Sequence, residues 1–201
     1  KTIFESWIRE TSSLIKSLDK NHLVTTGSEG EMGSENDMEL FTRIHAGSEI
    51  DYLTIHIWPK NWSWIKADSI AQTLESAIMK TDGYIADHAL VARQLNKPLV
   101  IEEFGLPRDQ HKFSLDAPTT NRDRYYANIF EKVLSSAKKN GIIAGANFWA
   151  YGGLARPHKT RPFWKPGDDY MGDPGQEEQG LNSVFDTDTT MGIVKDFNQK
   201  I

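Results

Sequence analysis

The sequence contains no cysteine among its 201 residues, so it can form neither a disulfide nor a thiolate metal site, and it leaves the redox compartment open. No apolar run approaches the ~20 residues needed to cross a bilayer. There is no Lys/Arg run or basic patch, and 23 basic against 28 acidic residues leave a net charge of -5. That balance argues against nucleic acid and anionic membrane as partners. No His-Glu-x-x-His occurs, and Asp168, Asp169 and Asp173 lack the spacing of a calcium loop, so this cluster reads as a solvated loop and no metal is expected. What the chain does have is 38% apolar and 25% charged residues, ordinary for one substantial core. It also has six tryptophans and six tyrosines, whose flat rings suit the apolar faces of sugars when they stand in loops.

Apolar periodicity divides the chain into alternating elements. Phe4, Trp7, Ile8, Leu14, Ile15 and Leu18 recur at helical spacing over residues 3–18. The chain begins at Lys1 inside that helix, which reads as the cut end of something longer. A strand is expected over 22–26, then a glycine-rich loop over 28–34 and a short helix capped by Asn36 or Asp37. A second strand is expected over 50–58, followed by a loop carrying Trp62 and Trp64 and a long helix from Asp68 or Ser69 to about Leu95. Leu99-Val100-Ile101 opens a third strand, and Thr120 or Asn121 caps a helix ended by Asn140-Gly141. Residues 142–150 read as a fourth strand, 151–183 as a long loop, and Thr187 or Asp188 as the cap of a last helix. Strands alternating with helices in this way imply a parallel sheet, an α/β class.

The third strand ends in Glu102-Glu103-Phe104-Gly105. Two carboxylates on a strand are costly if buried unpaired. Alternation along a strand predicts that they face opposite sides, one toward a cleft at the strand end. The other strand ends carry Glu29, His56 with Trp58, and Trp149 with Tyr151. In parallel α/β folds the carboxyl ends of strands are where sites are built. Chemistry-bearing groups at four such ends point to a sugar or other small-molecule site.

Thr25-Thr26-Gly27-Ser28-Glu29-Gly30, Thr54-Ile55-His56-Ile57-Trp58-Pro59, Ile101-Glu102-Glu103-Phe104-Gly105 and Ala146-Asn147-Phe148-Trp149-Ala150-Tyr151-Gly152-Gly153, in this order, resemble glycoside hydrolase family 5 and its endo-β-mannanase branch. Gln179 to Asp186 also resembles that branch. The resemblance implies the carboxyl-terminal half of a (β/α)8 TIM barrel, strands five to eight with their helices. Residues 1–201 would be a single catalytic domain incomplete at its amino terminus. Glu103 matches the family's nucleophile, and Glu102 is the neighbour facing away. His56 lines the site beside the nucleophile, Trp58 stands beside the sugar, and Trp149 forms the floor under it. Glu29 stays unassigned between sugar binding and loop capping, while Trp62 and Trp64 either extend the cleft or cap the core.

A retaining glycosidase needs two carboxyl groups about 5–5.5 Å apart. The family's acid/base is a glutamate following an asparagine, and no Asn-Glu pair occurs in these residues. The resemblance implies hydrolysis of internal β-1,4-mannosidic bonds in mannan, glucomannan or galactomannan by double displacement, with the acid/base upstream of this chain and the isolated piece expected to lack activity of its own. The alternatives are a related β-1,4-glucanase and a non-catalytic carbohydrate-binding half barrel. No cofactor is implied. The expected partners are a β-mannan-type polysaccharide and either the missing amino-terminal half barrel or a second copy, because half a barrel exposes two sheet edges. Polymeric substrates of this kind imply an extracellular or periplasmic location.

Overall fold

A computed structural model describes residues 1–201. Its centre is a parallel sheet of three strands, β1 (Leu53–Ile57), β2 (Leu99–Phe104) and β3 (Ile143–Ala146), in the order β1-β2-β3. The crossovers are helices, α3 (Ile70–Leu95) between β1 and β2, and α4 (Thr120–Lys138) between β2 and β3. Leu53, Ile55, Leu99 and Ile101 are fully buried, and they pack in one core with Leu74, Ala77 and Ile85 of α3 and Tyr125, Tyr126 and Ile129 of α4. Leu99-Val100-Ile101 of β2 is the continuous apolar run expected of a covered strand, whereas β1 alternates Leu53, Ile55 and Ile57 with Thr54 and His56.

The helix α1 (Thr2–Leu18) forms where periodicity places it but buries only part of its apolar stripe. Ile8 joins Val24, Leu40, Ile44 and Ile50 in a satellite cluster with α2 (Met38–His45). Trp7, Leu14 and Leu18 stay more than half exposed, as does the nearby Leu23. The α2 helix is capped by Asp37, whose carboxylate accepts the Leu40 N–H at 2.9 Å.

Residues 22–26 do not form the expected strand. They are tied to the residues just before β1 by one backbone bond, Asp51 N–H to Val24 O at 2.8 Å, and otherwise by side chains. Asp51 accepts Val24 N–H at 2.6 Å, and Thr25 Oγ1 donates to the Tyr52 carbonyl at 2.8 Å. The fourth strand is also shorter than its sequence suggests. Trp149 N–H still bonds Phe104 O at 2.8 Å, but Ala150 turns to residues 182–184. From there β4 (Tyr151–Gly153) pairs in parallel with β5 (Val184–Phe185), a second sheet within the stretch read as loop and its margin.

Helix termini differ in detail. At the end of α4 it is Asn140, at φ 48°, that takes the left-handed conformation, and Gly141 N–H bonds Ser136 O at 2.8 Å. The residue before α4 is Thr119, and before α5 (Thr190–Asn198) it is Thr189. Asp188 does not serve as that cap because it is buried against Arg108 and Arg122. No helix is long and apolar enough to cross a membrane.

Candidate active site

The carboxyl ends of β1 and β2 lie side by side, and a β-bulge there decides the geometry. Register runs Ile55 against Ile101 and then His56 against Glu103, so Glu102 has no partner residue on β1. A bulge breaks the alternation of the strand. Glu102 and Glu103 reach the two nitrogens of one imidazole, and of the two only Glu103 lines the strand-end cleft. His56 Nε2 lies 3.0 Å from Glu102 Oε2 and its Nδ1 lies 3.3 Å from Glu103 Oε2. His56 itself is only 13% exposed.

Above this group a cleft of about 220 Å³ is lined by Glu29, Trp58, Asn61, Glu103, Trp149 and Asn182, with Pro174, Glu177 and Leu181 on its far side. Three of the four anticipated residues, Glu103, Trp58 and Trp149, line one cavity, and His56 supports it from below. Glu29, left open by the sequence, is on its wall. Burial pushes the Glu103 carboxyl above its ordinary value; His56 and the Trp58 side chain pull it down, and Glu102 and Glu29 push it up.

Gly105 lets the walls close. A Cβ there would lie 2.8 Å from the Trp149 carbonyl oxygen and 2.9 Å from the Trp58 ring. The Glu29 wall hangs from α3: Tyr84 Oη donates to Glu29 O at 2.8 Å and accepts Met32 N–H at 3.2 Å, while His88 Nε2 accepts Glu31 N–H at 2.8 Å. Gly30 passes so close over these rings that a Cβ would meet Tyr84 Oη at 2.5 Å.

The far wall was not legible as a site. Asp173, expected in a solvated loop, is fully buried. Its carboxylate accepts Gly180 N–H at 2.9 Å, Asn182 N–H at 3.0 Å and the Ser183 hydroxyl, and so shapes the segment that carries Leu181 and Asn182 to the cleft. Asp168 is ion-paired with Arg161. Trp62 and Trp64 do not extend the cleft; they pack on Tyr84, with ring centroids 5.2 and 6.1 Å away, and cap the core. Asn61 between them and Trp58 is the loop's contribution, and its sequence context carries no signal of that. Arg156 pairs with Asp186, and His158 stands in a separate groove between residues 113–116 and 157–162. No three His, Asp or Glu side chains are grouped so as to hold a metal ion.

A carboxylate and two tryptophans converge here beyond the carboxyl ends of parallel strands, where α/β barrels build their sites. The family description "GH family 5 beta-mannosidase-like" matches residues 1–201, and the chain belongs to glycoside hydrolase family 5. Mannan endo-1,4-beta-mannosidase 2 of Arabidopsis thaliana is 29% identical over 161 residues, covering 73% of this chain and 35% of that protein. Mannan endo-1,4-beta-mannosidase 4 of Solanum lycopersicum is 29% identical over 157 residues, covering 73% and 36%. Among solved structures, a family 5 mannosidase from Rhizomucor miehei is 36% identical with a TM-score of 0.86, covering 98% of this chain and 47% of that one. A glutamate-to-alanine variant of it was solved with mannosyl-fructose bound. An endo-beta-1,4-mannanase from Thermotoga petrophila, 21% identical with a TM-score of 0.61 over 98% of this chain and 39% of that one, shares the fold. The chain thus spans about a third of the length of these curated relatives and about half of the R. miehei chain.

Proposed function

We propose that this chain supplies the nucleophile side of a retaining endo-β-1,4-mannanase. Glu103 attacks the anomeric carbon of a mannosyl unit in mannan, glucomannan or galactomannan, and a second carboxyl protonates the leaving oxygen and later activates water. Trp149 and Trp58 hold the sugar against Glu103, and His56 pulls the Glu103 carboxyl down against the upward push of burial. The acid/base glutamate belongs to residues outside these 201, in agreement with the absence of an Asn-Glu pair and with a match to about half of a barrel. The exposed stripe of Trp7, Leu14, Leu18 and Leu23 supports a partner for this half, either the other half barrel or a second copy. Residues 1–201 act in this reading as one part of a single catalytic domain, working outside the cytoplasm, where polymeric mannan is met.

The observation that carries the proposal is the cleft in which Glu103, Trp58 and Trp149 converge. Mannan is favoured over glucan by the names of the curated relatives, which are mannan endo-1,4-beta-mannosidases. The test is reducing-sugar release from mannan and from β-glucan by the intact protein, beside Glu103→Gln. Release from mannan that falls by three orders of magnitude or more in the variant is expected. An unchanged rate removes Glu103 from the role, and a preference for glucan moves the substrate.

A further inference from the structure

Asn182 is 8% exposed, and its backbone is pinned on both sides. Its N–H donates to the buried Asp173 carboxylate at 3.0 Å, and its carbonyl accepts Ala150 N–H at 3.2 Å. The side chain takes no part in this scaffold. Neither its oxygen nor its nitrogen has a hydrogen-bond partner in the protein, yet neither atom is sealed from solvent. Most buried polar side chains are hydrogen-bonded, and each exception calls for a reason. Here the reason is position. Asn182 lines the cleft together with Glu103, Trp58 and Trp149. Its Oδ1 lies 3.2 Å from where a Gly105 Cβ would stand, the point at which the Trp58 ring and the Trp149 carbonyl also meet.

A buried side chain on a pinned backbone has little freedom to lose when a ligand arrives. Asn61, the other amide on these walls, is exposed and lacks that advantage. Charge narrows the ligand further. The walls contain Glu29, Glu103 and Glu177 and no lysine or arginine, so they repel an acidic sugar. An amide offers two donors and one acceptor, which suits a hydroxyl acting as either partner.

We infer that Asn182 is a substrate-binding and specificity-determining residue, whose amide hydrogen-bonds one hydroxyl of the neutral sugar unit lying against Glu103. The inference rests on Glu103, Trp58 and Trp149 forming a sugar site. A unit that lacks the hydroxyl leaves the amide desolvated and unpaired, and is rejected for that reason.

The test is tryptophan fluorescence titration of the intact protein carrying Glu103→Gln, so that no ligand is turned over. The ligands are methyl β-mannoside, its singly deoxygenated derivatives, and the matching β-glucosides. One deoxy-mannoside should bind about tenfold more weakly than the parent, the effect of leaving a desolvated polar group without a partner. Adding Asn182→Leu, which keeps the size but not the hydrogen bonds, should weaken the parent by a similar factor and abolish the penalty for that derivative. Asn182→Ala gives the same comparison without requiring the leucine to fit. This coupling is what a merely structural residue would not show, since it would weaken all ligands alike. Uniform weakening, or a penalty that persists in both Asn182 variants, overturns the inference. If the coupling appears with glucosides in place of mannosides, Asn182 keeps its role and the substrate moves from mannan to glucan. If neither sugar binds the protein with Asn182 intact, the sugar-site reading has failed and the inference falls with it.

Discussion

The missing side chain of Gly105 is filled by the backbone of Trp149, whose carbonyl oxygen lies 2.8 Å from where a Cβ would stand. The two residues follow the ends of neighbouring strands, β2 and β3, and Trp149 N–H is tied to Phe104 O at 2.8 Å. The contact is to backbone, so no flexible side chain can yield. Gly105→Ala should therefore push Trp149 and Trp58 apart at a cost of about 1–3 kcal/mol, the usual range for overpacking. Titration of intrinsic tryptophan fluorescence with manno-oligosaccharide, on the intact protein, should show affinity reduced tenfold or more with the far-UV circular dichroism kept. Unchanged affinity would mean that the walls are not where the sugar sits.

The wall carrying Glu29 depends on a helix on the outside of the sheet. Tyr84 of α3 bonds both Glu29 O and Met32 N. Tyr84→Phe keeps the ring that Trp62 packs on but leaves two part-buried backbone groups without this partner, which costs about 1–3 kcal/mol. Urea unfolding should show that loss as a lower midpoint at constant slope. Hydrogen exchange at Met32 should rise far more than exchange in β2. Equal protection at Met32 would show that the loop is held by something else.

Two histidines make the fold acid-sensitive above the carboxylate range. His45 and His88 are fully buried, each donating Nδ1–H to a helix carbonyl at 2.7 Å, and burial pulls both from 6.5 down to about 4. The unfolded chain takes up these protons near pH 6.5 and the folded chain only near pH 4. Stability is thus fully present above about 6.5 and is lost as pH falls toward 4, by on the order of 3 kcal/mol for each imidazole. Exposed carboxylates such as Asp37 and Asp51, held low by lysine partners, lose their contribution only at lower pH. Urea midpoints at pH 7 and pH 4.5 measure the effect. His88→Gln, which keeps an acceptor for Glu31 N–H, should remove about half of the difference. A flat profile would contradict the neutral, buried state of both rings.

These sensitivities show what local sequence could and could not reveal. The elements β2, α3 and α4 were legible because apolar spacing is a property of neighbours in the chain, as were the strand-end positions of Glu103, His56, Trp58 and Trp149. The register shift beside His56 and its contact with Glu102 were not, because they are set between β1 and β2, some 46 residues apart. Trp62 and Trp64 have the same composition in a loop whether they meet a sugar or Tyr84. The acidic residues near the carboxyl end were the hardest: Asp173 and Asp168 differ by five positions, yet one is buried under three donors and the other is paired with Arg161. Burial of an aspartate depends on distant partners that no short pattern contains.

Asp188 shows the energetic side of that point. It is the carboxylate between two buried guanidiniums, Arg108 Nη2 at 2.5 Å and Arg122 Nη1 at 3.4 Å, and it also accepts Phe185 N–H at 2.9 Å. Arg122 in turn donates to Leu106 O at 2.7 Å and Ser183 O at 3.0 Å, joining the segment after Glu103 to the one after Asn182. Asp188→Asn keeps the shape but removes the charge, leaving two arginines buried with no carboxylate between them. Breaking a buried pair from one side costs about 3–5 kcal/mol. The pair Glu75–Arg124 provides the contrast, since both side chains are more than half exposed. Glu75→Gln should change stability by less than about 1 kcal/mol. Thermal and urea unfolding of the two variants should therefore differ by at least 2 kcal/mol, a margin set by those two ranges. Comparable losses would show that Asp188 is hydrated in solution and that the seam between the two cleft walls is held by backbone pairing alone.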